Sequence, residues 1–166
     1  MSTKATGSAV EGGEQILDEQ PEILTGVESW QAGVGAGLLG AVAFGAVMAI
    51  VAPGALTAAI PAMYGLTGGA AGTFVHLAHG AILGVAFAAI LRARPDFGSN
   101  LTRATIAGAA YGVVLWVVLA AFVMPVWLSA VGFAGAPPLP SFDPISLAGH
   151  ALYGIVLGAA YPLLRR

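Results

Sequence analysis

The sequence predicts an all-α polytopic membrane protein, a four-transmembrane-helix bundle built from a two-helix unit used twice. Three observations predict it. Hydrophobic residues make up 58% of the chain and charged residues only 8%, against roughly 25% charged in a soluble domain. The charges are also clustered, with none between Glu28 and Arg92, between Arg103 and Asp143, or between Asp143 and Arg165. Finally, a pattern recurs. His76-x-x-His79-Gly80-x-x-x-Gly84-x-x-Phe87, ending in Arg92, returns at an offset of 74 as His150-x-x-Tyr153-Gly154-x-x-x-Gly158-x-x-Tyr161, ending in Arg166. Upstream, Gly40 and Pro53 match Gly112 and Pro125 at an offset of 72, so the second unit carries extra loop residues.

Residues 1–28 form an acidic tail with Glu11, Glu14, Asp18, Glu19, Glu22 and Glu28, too poor in apolar surface to fold alone. The tail reads as a solvated cytoplasmic segment, and its acidity is the reverse of a basic secretory leader. The transmembrane domain follows over 29–166, with repeat units at about 30–92 and 103–166. A bilayer core of about 30 Å needs about 20 apolar residues in a helix. Four runs satisfy this: roughly Ala32–Ala52, Gly69–Leu91, Thr105–Val126 and Ile145–Leu164. None carries the polar stripe of a soluble bundle helix.

Ala52-Pro53-Gly54 stops the first span, and Pro125 is expected to stop or kink the third near its end. The outer connections, from Pro53 to about Gly68 and from about Trp127 to Asp143, read as featureless loops. The inner loop runs from Arg92 to Arg103, and Ser99-Asn100-Leu101-Thr102 reads as the start of the third helix. Even parity places both termini and the inner loop on one side, which then holds every Lys and Arg: Lys4, Arg92, Arg94, Arg103, Arg165 and Arg166. The positive-inside rule makes that side cytoplasmic, and the membrane the plasma membrane of a prokaryotic cell. Two units of two spans each share one orientation, so the repeat is of the parallel type, related by a pseudo-two-fold along the membrane normal.

Each span has one Gly-x-x-x-Gly pair: Gly33/Gly37, Gly80/Gly84, Gly108/Gly112 and Gly154/Gly158. In lipid, close backbone approach through small residues supplies association, so Gly80, Gly84, Gly154 and Gly158 are expected at helix contacts. His76 and His150 share those glycine stripes. Each lies sixteen residues before the terminal arginine of its unit, about 24 Å along the helix. They are expected to face each other at one depth.

An ionisable residue inside a membrane is a functional hypothesis by default. Neutral imidazoles bonded across the bundle, fixing helix register, are one reading. Axial ligation of a b-type haem by His76 and His150 is a second. A copper or zinc site adding His79, with Met63 or Met124, is a third. Cysteine is absent, which removes thiolate chemistry. No paired carboxylates, phosphate-binding loop or basic nucleic-acid patch stands out, so an enzyme is not expected and no nucleic-acid partner is implied. A small homo-oligomeric channel is weakened by the scarcity of polar pore-lining residues.

The run Gly149-His150-Ala-Leu-Tyr153-Gly154-Ile-Val-Leu-Gly158-Ala-Ala-Tyr161, with Val123-Met124-Pro125 upstream and His76-x-x-x-Gly80-x-x-x-Gly84 in the first half, resembles a family of small four-span prokaryotic membrane proteins abundant in haloarchaea. The resemblance covers about Gln31 to the C-terminus. That family has no established function to carry over. Some members look like neighbours of haem-copper oxidase components, which implies an accessory role in a respiratory assembly. Others carry a histidine-kinase label, and this chain lacks the dimerisation and ATP-binding segments that such a label requires. The expectation is a non-catalytic membrane subunit, with the lipid bilayer and other membrane subunits as partners.

Overall fold

Four long helices follow from the four charge-free runs. A computed structural model describes residues 28–165, so the acidic tail up to Val27, Lys4 and Arg166 lie outside the described residues. The spans are Ser29–Val51, Gly69–Arg92, Leu101–Ala130 and Pro144–Leu164, each long and apolar enough to cross a membrane. Polar side chains mark three of their starts. The Gln31 side-chain oxygen accepts from the Glu28 amide at 2.9 Å, and the Asn100 side chain accepts from the Arg103 amide at 3.0 Å. Asp143 accepts from the Ile145 and Ser146 amides, each at 3.1 Å. These side chains satisfy first-turn donors that a helix leaves unpaired. The inner loop adds a single turn, Pro95–Gly98, between the second and third spans.

Glycine sets the contacts. A methyl group at Gly84 would lie 2.8 Å from the Gly37 Cα, and one at Gly33 would lie 2.8 Å from the Ala88 Cβ. Gly80 meets Ala41 and the Gly37 carbonyl, so the first and second spans cross backbone to backbone. The third and fourth spans do the same: a methyl at Gly108 would lie 2.8 Å from the Gly158 Cα, and one at Gly154 would lie 3.0 Å from the Gly112 Cα. Such proximity replaces the missing hydrophobic drive with dispersion.

The first span also packs on the fourth. There a methyl at Gly40 would lie 2.7 Å from the Tyr153 carbonyl oxygen, and Gly149 leaves room for the Phe44 ring, which a methyl would overlap. The helices therefore run second, first, fourth, third. The second and third spans make no comparable contact. An exact two-fold would make the first–fourth and third–second seams alike, and they differ. At the offsets read from the sequence, Phe44 corresponds to Trp116 and Gly149 to Val75. At these positions a larger ring and a branched side chain replace the ring and the vacancy that receives it, and Trp116 lies against Phe142, with ring centroids 5.6 Å apart.

Near the termini this seam is bridged by large rings. Phe87 meets Tyr161 edge-on at 5.9 Å and Tyr111 at 5.4 Å, and the Tyr111 hydroxyl donates to the Leu83 carbonyl at 3.0 Å. Toward the other end the seam opens into a cavity.

The connections at that end differ from expectation. Residues 55–62 are helical, wound as a π-helix over Ala55–Ala59 and an α-turn over Ile60–Ala62. The third span does not stop at Pro125. It winds as a π-helix over Trp116–Val123 and continues to Ala130. Proline supplies no amide, so the carbonyl four residues before it lacks its usual donor. Loop amides fill both vacancies: Gly68 donates to Thr57, four before Pro61, at 3.2 Å, and Ser141 donates to Ala121, four before Pro125, at 2.9 Å. By local structure the counterpart of Pro125 is therefore Pro61, not the Pro53 expected from the sequence offset. Both Pro61 and Pro125 are fully buried.

Candidate functional site

The site is built where the second, first and fourth spans approach above the glycine crossings. His76, four residues before Gly80, reaches the first span and its Nε2 lies 2.9 Å from the Ala41 carbonyl oxygen. A carbonyl only accepts, so Nε2 carries the proton. In the neutral ring Nδ1 then keeps its lone pair. Phe44, one turn beyond Ala41, contacts both imidazoles edge-on, with centroid distances of 5.5 Å to His76 and 4.9 Å to His150.

His150 does not mirror His76. Its Nδ1 lies 2.8 Å from the Ser146 carbonyl oxygen, one turn back in its own helix, so Nδ1 donates and Nε2 is left as an acceptor. The expectation of two equivalent imidazoles, both bonded across the bundle, fails for His150 because a carbonyl of its own helix is within reach. The cross-bundle bond on this helix comes from Tyr153, whose hydroxyl donates to the Gly80 carbonyl at 2.9 Å. His79, the sequence counterpart of Tyr153, pairs its Nε2 with the Tyr64 hydroxyl at 2.6 Å. The Tyr64 ring also lies against Trp127, 5.4 Å between centroids.

These residues face one cavity of about 430 Å³, half open and mostly apolar. His76, His79 and His150, the chain's entire histidine complement, line it. So do Met48, Met63 and Met124. Its walls near the connections come from the two π-wound segments, through Ala55 on one side and Leu119, Ala120 and Val123 on the other. Ser141 and Asp143 stand at its rim.

The geometry weighs on the ligation readings. Iron coordination through Nε2 of both rings would cost His76 its bond to Ala41. Among the described residues no three of His, Cys, Asp or Glu gather into a metal-binding group, and the Nε2 of His79 is engaged by Tyr64. Gly80, Gly84, Gly154 and Gly158 all sit at helix crossings, and the Gly80 carbonyl also accepts from Tyr153.

Sequence reasoning did not single out Phe44, Tyr64, Tyr111 or Trp127. The available signal was a phenol in an apolar helix, since a buried tyrosine hydroxyl usually finds an acceptor. The chain matches no family model, and no curated protein or solved structure matches it either.

Proposed function

We propose that the chain is a non-catalytic integral membrane subunit or accessory protein that works by association with another membrane protein. The observation that carries this reading is the unmatched seam between the second and third spans. A lone bundle would leave that seam, with the Tyr64–His79 pair beneath it, to lipid chains that offer no hydrogen bonds. A partner helix across the seam would roof it. Among the residues it would meet is Ile82, which lines the cavity and is apolar and exposed.

The resemblance carried by the Gly149-His150-x-x-Tyr153-Gly154 run supports a respiratory haem-copper oxidase as the assembly. Arg92, Arg94, Arg103 and Arg165 gather at the end that carries the termini, which supports cytoplasmic termini in a prokaryotic plasma membrane.

Extraction from native membranes in a mild detergent tests the reading. The protein is expected in a stoichiometric complex that Ile82→Trp disrupts while the variant itself remains folded. Wild-type protein that is folded and alone under the same conditions would overturn it. A second reading, an electron carrier with haem or copper at His76 and His150, rests on the gathering of all three histidines at one cavity. A reduced-minus-oxidised spectrum with metal analysis decides between them. A stoichiometric signal abolished in His150→Ala establishes the carrier, and a blank spectrum from folded protein removes it.

A further inference from the structure

We propose that the cavity, lined by all four spans, binds a lipid-soluble quinol whose ring hydroxyls donate to the imidazole nitrogens. This goes beyond association with a partner and does not depend on it. Four observations lead to this ligand class.

The first is access. The cavity lies inside the spans: His150 is six residues beyond Pro144, about 9 Å into the helix. The second and third spans both line the cavity and make no close contact with each other, which leaves the seam between them as a route in. A ligand entering there comes from the bilayer and must itself be membrane-soluble.

The second is polarity. The cavity wall is apolar except for a few atoms, which differ in character. With Nδ1 committed to the Ser146 carbonyl, His150 offers an acceptor at Nε2. With Nε2 committed to the Ala41 carbonyl, His76 offers an acceptor at Nδ1. The Tyr64 hydroxyl and Nε2 of His79 engage each other at 2.6 Å, which leaves Nδ1 of that ring as a further polar atom. Acceptors around one apolar space suit a ring that bears hydroxyl groups on opposite edges, which donate where carbonyl oxygens cannot. An acyl chain would leave all of these groups unpaired.

The third is size and shape. At about 430 Å³ the cavity falls in the usual range for small organic ligands and is far larger than a single ion needs. Phe44, Tyr153 and Trp127 supply aromatic surface for a flat ring, and the three methionines supply adaptable wall.

The fourth is backbone geometry. Two π-wound segments, Ala55–Ala59 and Trp116–Val123, border the cavity on opposite sides. Such windings are rare and recur at functional sites. Here they are held by the loop amides that cap Thr57 and Ala121.

Trp127 lines the cavity and reports on its contents. Purified full-length protein in lipid nanodiscs is titrated with a decyl-substituted benzoquinol, kept reduced under anaerobic conditions, and tryptophan fluorescence is followed. Saturable quenching at about one equivalent is expected, with the saturable part lost in Trp127→Phe. His150→Leu is expected to weaken the quinol at least tenfold, and decylbenzene, which lacks the ring hydroxyls, is expected to compete at least tenfold more weakly than the quinol. If His150→Leu does not fold, the decylbenzene comparison on wild-type protein decides alone. Quenching that rises linearly, with one slope for wild-type and Trp127→Phe, would overturn the proposal. So would decylbenzene competing as well as the quinol, because the cavity would then be a seat for hydrocarbon. Failure of the partner experiment would leave this titration unaffected, since no partner is present in it.

Discussion

Gly154→Ala tests the packing argument most sharply. Gly154 and Gly108 face each other so closely that a methyl on either would overlap the other's carbonyl oxygen, and a methyl at Gly154 would also lie 3.0 Å from the Gly112 Cα. Every atom it meets belongs to the opposing backbone, so no rotamer change relieves the clash and the third and fourth spans must separate. Overpacking of this kind costs about 1–3 kcal/mol. In a soluble helix the higher propensity of alanine would return roughly 0.5–1 kcal/mol. A span in lipid keeps its internal hydrogen bonds even when its neighbours leave, so that gain largely cancels and the overpacking cost is expected nearly in full. Gly54→Ala is the control, because nothing lies within 4 Å of the added methyl. Unfolding in mixed micelles by titration with a denaturing detergent, followed by tryptophan fluorescence, measures the difference. Gly108→Ala combined with Gly154→Ala should cost less than the sum of the two, because one separation relieves both overlaps. Gly154→Ala within a few tenths of a kcal/mol of Gly54→Ala would refute the reasoning.

Two further predictions concern polar anchors and topology. Tyr153→Phe and Tyr111→Phe each remove one interhelical hydrogen bond, to the Gly80 and Leu83 carbonyls. Each is expected to destabilise by about 0.6 kcal/mol, the average found for such bonds in a membrane, in the same detergent titration; no change in either variant would mean the bonds are not made in lipid. The chain has no cysteine, so single introduced thiols report topology without background. Ser99→Cys, in the arginine-bearing loop, is expected to resist a membrane-impermeant maleimide in intact cells, whereas Ala134→Cys, exposed in the opposite connection, is expected to react; the reverse pattern would invert the orientation.

The spans were legible because charge is costly in lipid, and an apolar run of about twenty residues matches the thickness of the bilayer core. The helix starts at Asn100 and Asp143 are local and could be read as caps. The π-wound segments were not legible. They depend on bonds from Gly68 to Thr57 and from Ser141 to Ala121, which join residues too far apart for local pattern reading. Pro53 and Pro125 matched by spacing, yet the proline with a buried ring and a capped carbonyl in the first half is Pro61. The histidines illustrate the same limit. Their spacing placed both on glycine stripes, but whether a ring bonds across the bundle or back along its own helix turns on which carbonyl is nearer. His76 found Ala41 and His150 found Ser146.

The second span holds an unusual position in this bundle. Among the described spans it packs closely on the first alone, yet it is tied to all three others by hydrogen bonds. His76 donates to the first span, its Gly80 carbonyl accepts from the fourth, and its Leu83 carbonyl accepts from the third. Two of these ties are phenol hydroxyls at the end of long side chains, which span a gap that packing does not close. The width of the cavity is therefore set by Tyr153 and Tyr111 more than by helix contact, and regions held by few contacts are the first to open. The first–second and third–fourth crossings, locked by glycine against backbone, are the rigid parts. A ligand or a partner helix acting at the seam would swing the second span against the third and fourth while the first stays packed on the fourth, and the two tyrosine bonds are where that motion would be felt first.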